Sequence, residues 1–228
     1  MTPIQQLMLG VGASKKTYMD DLFSTYVYTG TGSSRSINNG INLSGEGGLN
    51  FIKRRDSTNG WQWTDTVRGV TKMITSHGND AESTKADGLT AFNNNGFTIG
   101  TDASYNGSGD DYSSWTFRKA PGFFTCLTYS GSGSARTISH DLGCVPGLML
   151  IKRTDASSDW IVYHRSVGPE KVLFLNESDA QYDNDTYFND TAPTSSVFSL
   201  KDSTTVNASG GTYVAYLFAG GESTAATA

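Results

Sequence analysis

Histidine and serine are the residues here whose chemistry could support catalysis, but their spacing forms no recognised catalytic set. The three histidines, His77, His140 and His164, include no pair spaced i, i+4 around a glutamate, so the helical zinc motif is absent. No Gly-x-Ser-x-Gly elbow joins a predicted strand to a helix. Ser139, His140 and Asp141 adjoin in sequence, yet neighbours along a strand point to opposite faces and cannot form a triad. We therefore expect a protein that is not an enzyme and that needs no cofactor.

Carboxylates are concentrated in one polar stretch, residues 179–190. Asp and Asn in such a stretch favour solvated turns, because their side chains bond to the nearby backbone. Calcium takes several oxygen ligands from a single loop, so Asp183, Asn184 and Asp185 leave a calcium site open as the alternative. We favour the turns, and the sequence predicts no metal site.

Aromatic side chains offer a second kind of chemistry, the stacking of sugar rings. Trp61 and Trp160 occupy matching places in the two halves of the sequence, as do Tyr112 and Tyr213. These four residues are the candidates for glycan stacking, and the competing prediction is that they anchor the core. Exposure of the two tryptophans separates these alternatives.

The elements that must position these residues follow from an internal repeat. An offset of 101 residues aligns the two halves near their ends, and an offset of 99 aligns them in the middle. The matched pairs include Phe23/Phe124, Tyr28/Tyr129, Arg35/Arg136, Lys53/Lys152, Trp61/Trp160, Asn106/Asn207 and Tyr112/Tyr213. So many matches in order indicate a tandem duplication. Arg35 and Arg136 each follow a glycine turn, and we expect them to bond either turn carbonyls or an acidic partner within the fold.

Short apolar and β-branched runs, with turn residues between them, predict strands at residues 123–129, 148–153, 159–164 and 212–218. The chain contains 26 glycines and shows no extended 3.6-residue period. Six to eight strands per copy predict an all-β fold of two tandem β-sandwich or jelly-roll-like domains.

The repeat also sets the predicted domain limits. A short N-terminal arm covers residues 1–20, the first copy 21–119 and the second copy 120–221, and residues 222–228 resemble a linker or a truncated tail. Within the arm, Ile4, Leu7 and Met8 are spaced i, i+3, i+4. They predict a short amphipathic turn that could dock on a partner.

Composition excludes several classes of function. The formal net charge is −5, with 17 Lys and Arg against 22 Asp and Glu, which disfavours nucleic-acid binding. No apolar run approaches the roughly 18 residues of a membrane span, and residues 1–10 do not resemble a signal peptide. Cys126 and Cys144 both lie in the second copy. We expect unpaired thiols in a reducing compartment, with a copy-specific disulfide as the alternative.

Several segments carry a resemblance to a known family. They are residues 1–13 (MTPIQQLMLGVGA), 115–124 (WTFRKAPGFF), 130–140 (SGSGSARTISH), 143–153 (GCVPGLMLIKR) and 189–196 (NDTAPTSS). The resemblance extends over nearly the whole chain. The pattern resembles the duplicated β-domain of unknown function at the N-terminus of tail-fibre-like proteins of marine and cyanobacterial tailed phages.

The resemblance implies a structural part of a virion, assembled in the host cytoplasm, and brings no catalytic residues with it. The expected role is the proximal part of a tail fibre, attached to tail or baseplate proteins by Ile4, Leu7 and Met8. A homo-oligomer, with a trimer favoured, follows by analogy with phage fibres. A carbohydrate-binding module for host adhesion and a head-decoration protein are the alternatives.

Overall fold

Residues 17–221 are described by the structure, a computed structural model, and within this range the protein is all-β, as the sequence predicts. The first half of this range holds nine strands: β1 (Phe23–Thr29), β2 (Arg35–Asn38), β3 (Gly48–Arg54), β4 (Gln62–Asp65), β5 (Lys72–Thr75), β6 (Ser83–Thr84), β7 (Leu89–Asn93), β8 (Gly96–Ile99) and β9 (Asp111–Arg118). The second half of the same range holds eight: β10 (Phe124–Ser130), β11 (Arg136–Ser139), β12 (Pro146–Arg153), β13 (Ile161–His164), β14 (Lys171–Phe174), β15 (Tyr182–Asp183), β16 (Val197–Leu200) and β17 (Thr212–Ala219). The helices of the described residues are single turns: α1 (Met19–Leu22), α2 (Leu43–Glu46), α3 (Ala103–Asn106), α4 (Asp185–Phe188) and α5 (Thr204–Asn207).

Each half forms one large and one small antiparallel sheet. The strand order is β1-β9-β3-β4-β5-β6 in the first large sheet and β10-β17-β12-β13-β14-β15 in the second, so corresponding strands take corresponding places. The small sheets are β2-β8-β7 and β11-β16. Between β15 and β16 lies α4, whereas between β6 and β8 lies β7.

The register of the strands follows the sequence repeat. Tyr28 of β1 lies opposite Tyr112 of β9, and Tyr129 of β10 lies opposite Tyr213 of β17. The two tyrosine pairs stack alike, with ring centroids 5.1 Å and 5.0 Å apart and planes 12° apart in both. The 101-residue offset of the sequence is therefore also the offset of strand pairing.

The turn after the first strand is held in the same way in both halves. Arg35 donates a hydrogen bond to Thr29 O at 3.0 Å, and Arg136 donates to Ser130 O at 2.9 Å. Of the two expected kinds of partner, the turn carbonyls are confirmed.

Each half has an apolar cluster between its large and small sheets. In the first half Ile52 and Tyr112 of the large sheet meet Ile37 and Phe97 of the small one. The matching residues of the second half are Ile151, Tyr213, Ile138 and Phe198. Because successive strand residues alternate between faces, this packing uses only one face of each large sheet.

A third apolar cluster joins the halves through the other faces of the two large sheets. Its buried members are Leu49, Phe51, Trp63 and Ile74 from the first half and Phe124, Cys126, Leu150, Trp160, Val162, Val214 and Tyr216 from the second. The four sheets therefore form a stack in which the two large sheets lie in the middle and one small sheet lies on each outer side, a β-sandwich-like arrangement. Burial on both faces explains why the apolar run of β3 and β12 is nearly continuous.

Candidate functional site

Two of the four candidate sugar-stacking residues, Tyr112 and Tyr213, are fully buried. The Tyr112 hydroxyl donates to Ala103 O at 2.6 Å, and the Tyr213 hydroxyl donates to Thr204 O at 2.8 Å. Burial raises the pKa of both phenols. The prediction of glycan stacking is corrected at these two positions, because both rings lie inside the protein and pin a helical turn.

Trp160 is likewise inaccessible to a sugar, so the prediction of glycan stacking is wrong at this position. Its indole is fully buried between the halves, with its ring centroid 5.0 Å from that of Trp63. The indole Nε1 donates a hydrogen bond to Thr75 O at 2.8 Å. Since the ring and its donor are both used inside the protein, Trp160 anchors the core, which was the competing prediction.

Trp61 differs from its counterpart, because it is only half-buried and belongs to an aromatic group that reaches the surface. Its ring centroid lies 5.0 Å from Trp115 and 5.4 Å from Phe51. Trp115 is 41% exposed, and Val27 on the edge strand β1 is 65% exposed. Thr25 pairs with Trp115 across the strands. We refer to the surface of Thr25, Val27, Trp61 and Trp115, together with the buried Phe51 that contacts both tryptophans, as the open face.

A buried ionic network lies next to this aromatic group, at the junction of the halves. Arg68 Nε donates to Asp65 Oδ2 at 2.6 Å, and the Tyr216 hydroxyl donates to the same oxygen at 2.6 Å. Arg68 Nη1 also lies 3.2 Å from Glu82 Oε2. Burial acts to lower the pKa of the guanidinium, but Tyr216, Asp65 and Glu82 raise it overall. The network fixes a charged pair of the first half to a tyrosine of the second.

Sequence reasoning missed this network, although a signal for it existed. The alignment of the copies places His164 opposite Asp65 and Val167 opposite Arg68. A charged pair three residues apart that only one copy carries indicates a role outside the common fold. Here that role is the contact between the copies.

The residues considered for catalysis, Ser139, His140 and Asp141, line one shallow pocket, but His140 and Asp141 bond to other partners. Asp141 accepts a hydrogen bond from Thr125 and lies 3.4 Å from Lys119 Nζ. His140 Nε2 lies 3.2 Å from Thr194 O. Both groups are therefore engaged with local partners, and their contacts do not link His140 to Ser139 as a triad requires.

The acidic stretch also forms local structure. Asn184 caps α4 by accepting from Thr186 N at 3.0 Å, and Asp185 forms an ion pair with Lys201. Within residues 17–221, no group of three or more His, Cys, Asp or Glu side chains is placed to hold a metal ion. These contacts agree with the turn-forming role that the sequence favours.

The remaining sequence predictions concern the cysteines and the arm. Cys126 is buried, Cys144 is partly buried, and neither forms a disulfide, which confirms the prediction of unpaired thiols. Burial raises the pKa of the Cys126 thiol. Ile4, Leu7 and Met8 lie outside the described residues.

Fold and site together define an all-β protein whose two halves are joined by a buried interface and whose first half carries an open aromatic face. The chain belongs to the family described as Domain of unknown function (DUF7483), whose model matches residues 19–225. No curated protein matches the chain. Across residues 17–221, no helix is long and apolar enough to cross a membrane.

Proposed function

We propose that the chain is a structural, non-catalytic component of a tailed-phage virion and forms the proximal part of a tail fibre. The observation that carries this proposal is the junction between the halves. A shared apolar cluster and the Asp65–Arg68–Tyr216 network join two sheet stacks into one body. Such a body suits a part that must hold its neighbours at a fixed spacing. The sequence resemblance to tail-fibre-like proteins supplies the viral setting.

The contacts of the chemically active side chains support a scaffold better than an enzyme. His140 and Asp141 are held by local hydrogen bonds, and Arg68 and Asp65 are buried in an ion pair. A buried pair of this kind is weak evidence for stability, and in some proteins it serves to specify how the parts pack. Here its contribution is to fix the angle between the two halves.

Burial of three candidate sugar-stacking residues weighs against the carbohydrate-binding alternative. Only Trp61 of the original four keeps an exposed surface, while Trp160, Tyr112 and Tyr213 are fully enclosed. A sugar platform needs an accessible ring face. A structural role is therefore better supported than a role as a carbohydrate-binding module.

We propose that the N-terminal arm, residues 1–20, attaches the chain to the particle. Apolar residues at i, i+3 and i+4 form a stripe that is buried only when a partner covers it. In the phage that encodes the protein, we expect the triple change Ile4→Ser, Leu7→Ser and Met8→Ser to remove the chain from purified particles. The purified variant should unfold at the same denaturant concentration as the wild type.

A double change of the polar residues in the same stretch, Gln5→Ser and Gln6→Ser, is the matched control and should leave incorporation unchanged. Incorporation of the triple variant at the wild-type level would refute docking by the arm. Gold-labelled antibody against the chain should mark the tail in electron micrographs. Label on the head would overturn the fibre proposal and favour a decoration protein.

A further inference from the structure

Four of the five residues of the open face have counterparts in the second half that are buried, whereas Thr128, the counterpart of Val27, is exposed. The repeat matches Thr25 with Cys126, Phe51 with Leu150, Trp61 with Trp160 and Trp115 with Tyr216. The four second-half residues are 1%, 6%, 0% and 0% exposed, respectively. The same surface thus occurs in both halves, and the packing around the second-half copy shows which kind of segment this surface can bind.

The cover of the second-half surface is provided partly by a segment of the first half, residues 75–82. Trp160 Nε1 donates to Thr75 O at 2.8 Å, and Ser158 N donates to Asn79 O at 2.7 Å. These bonds use backbone oxygens of the covering segment. Another segment of the same backbone shape could therefore make them with different side chains.

The covering segment also brings negative charge to a buried cation. Lys152 Nζ donates to Asn79 O at 3.1 Å. Burial lowers the pKa of Lys152 to about 8, while the carboxylates of Asp159 and Asp80 oppose this. Asp80 of the first half thus helps to keep an ammonium of the second half charged.

On the open face the corresponding donors lack such partners. Lys53 stands at the place of Lys152, and within residues 17–221 its ammonium donates only to the carbonyls of its own loop, Ser57 and Asn59. Among the described residues, the indole Nε1 of Trp61 has no hydrogen-bond partner. The open face therefore offers the same donors that the second half has already used.

The second half carries a counterpart of the covering segment, residues 174–181. The Asp-Ala pair at 80–81 recurs at 179–180. Leu175 is 41% exposed, and residues 177–181 are all exposed. The first half therefore carries a surface that no such segment covers, and the second half carries a covering segment that contacts no such surface. Within one chain they do not meet.

We propose that the open face binds segment 174–181 of a second copy of this chain, so that the contact between chains repeats the contact within the chain. Asp179 of the segment then lies near Lys53, and a segment carbonyl accepts from Trp61 Nε1. Such a contact joins two different surfaces, so it builds a ring or a row of chains rather than a two-fold dimer. It does not depend on the proposed role in a virion.

Sedimentation equilibrium of the purified full chain tests this proposal. The wild type should associate as its concentration rises. Trp115→Thr on the open face and Asp179→Lys on the segment should each weaken association on the order of ten-fold or more. Val145→Thr and Asp202→Lys change exposed residues elsewhere in the second half and should leave association unchanged. Thermal unfolding checks that every variant is folded.

Mixing the two variants identifies the type of contact. The Trp115→Thr chain keeps an intact segment and the Asp179→Lys chain keeps an intact face, so the mixture should form a pair of chains and nothing larger. A mixture that stays monomeric, or variants that associate like the wild type, would overturn the proposal. A wild type that stays monomeric throughout but binds an oligosaccharide, with binding lost in Trp115→Thr, would also overturn it and identify a glycan site.

Discussion

Trp160 and Trp61 occupy the same place in the two halves, yet one is enclosed and the other reaches solvent. Trp160 is fully buried and hydrogen-bonded to Thr75, whereas Trp61 is half-buried beside the exposed Trp115. The difference comes from what each half packs against. The first half covers the second without being covered in return by the matching segment, so a repeated sequence produces two unlike surfaces.

Truncation of the two tryptophans should show the largest difference in stability between matching positions of the two halves. Trp160→Ala leaves a cavity between the sheets and an unpaired carbonyl at Thr75, so we expect a loss of about 3–5 kcal/mol in the free energy of unfolding. Trp61→Ala removes a ring that is already partly solvated and should cost about 1 kcal/mol. Denaturant unfolding of both variants measures the difference. Equal losses would mean that the two environments are alike.

Removal of one member of the ionic network should have the next largest effect. Asp65→Ala leaves the buried Arg68 without its nearest carboxylate, and we expect a loss of about 3 kcal/mol. The matched control is Asp56→Ala, which removes a surface partner of Arg54 and should cost clearly less. If the two variants unfold at the same denaturant concentration, the network does not hold the halves together.

Tyr112 and Tyr213, which occupy matching positions, test whether the cores of the two halves are equally stabilised. Tyr112 and Tyr213 each donate to a carbonyl of a helical turn, so Tyr112→Phe and Tyr213→Phe should each cost about 1–2 kcal/mol. Chemical denaturation of the two variants should give equal losses within error. A difference of more than about 1 kcal/mol would show that the halves differ inside their own cores as well as at their junction.

The buried ammonium of Lys152 should produce the smallest effect, visible in the pH dependence of stability. Burial lowers its pKa in the folded protein to about 8, from an ordinary value of 10.5. Between these values the unfolded chain binds more protons than the folded one, so rising pH stabilises the fold. From about pH 8 to 10, the wild type should gain on the order of 1 kcal/mol relative to Lys152→Met. Parallel pH profiles would contradict this.

Much of the fold could be predicted from the sequence, because strand signals are local. The predicted strand at residues 148–153 lies within β12 (Pro146–Arg153), and the one at 212–218 lies within β17 (Thr212–Ala219). Trp115 and Phe117, two residues apart on β9, share one sheet face, as strand alternation requires, and both contact Phe51. Alternation and turn residues fix these features over a few positions.

The site could not be predicted in the same way. Both faces of each large sheet are apolar, so periodicity does not tell which face meets the other half. The bond between Asp65 and Tyr216 joins residues 151 positions apart and depends on the angle between the sheets. Comparison of the copies aligned Trp61 with Trp160, but only the packing of the halves separates an anchor from an exposed ring.

Hydroxyl-radical footprinting of the purified chain, at low and high concentration, tests most directly whether the open face is a docking surface. We expect rapid oxidation of Trp115 and Trp61 in the dilute protein and clear protection of both in the concentrated protein. Trp160 should be protected at both concentrations, because the first half already covers it. Oxidation of Trp115 that is equally fast at both concentrations, or of Trp160 that is as fast as that of Trp61, would contradict the account.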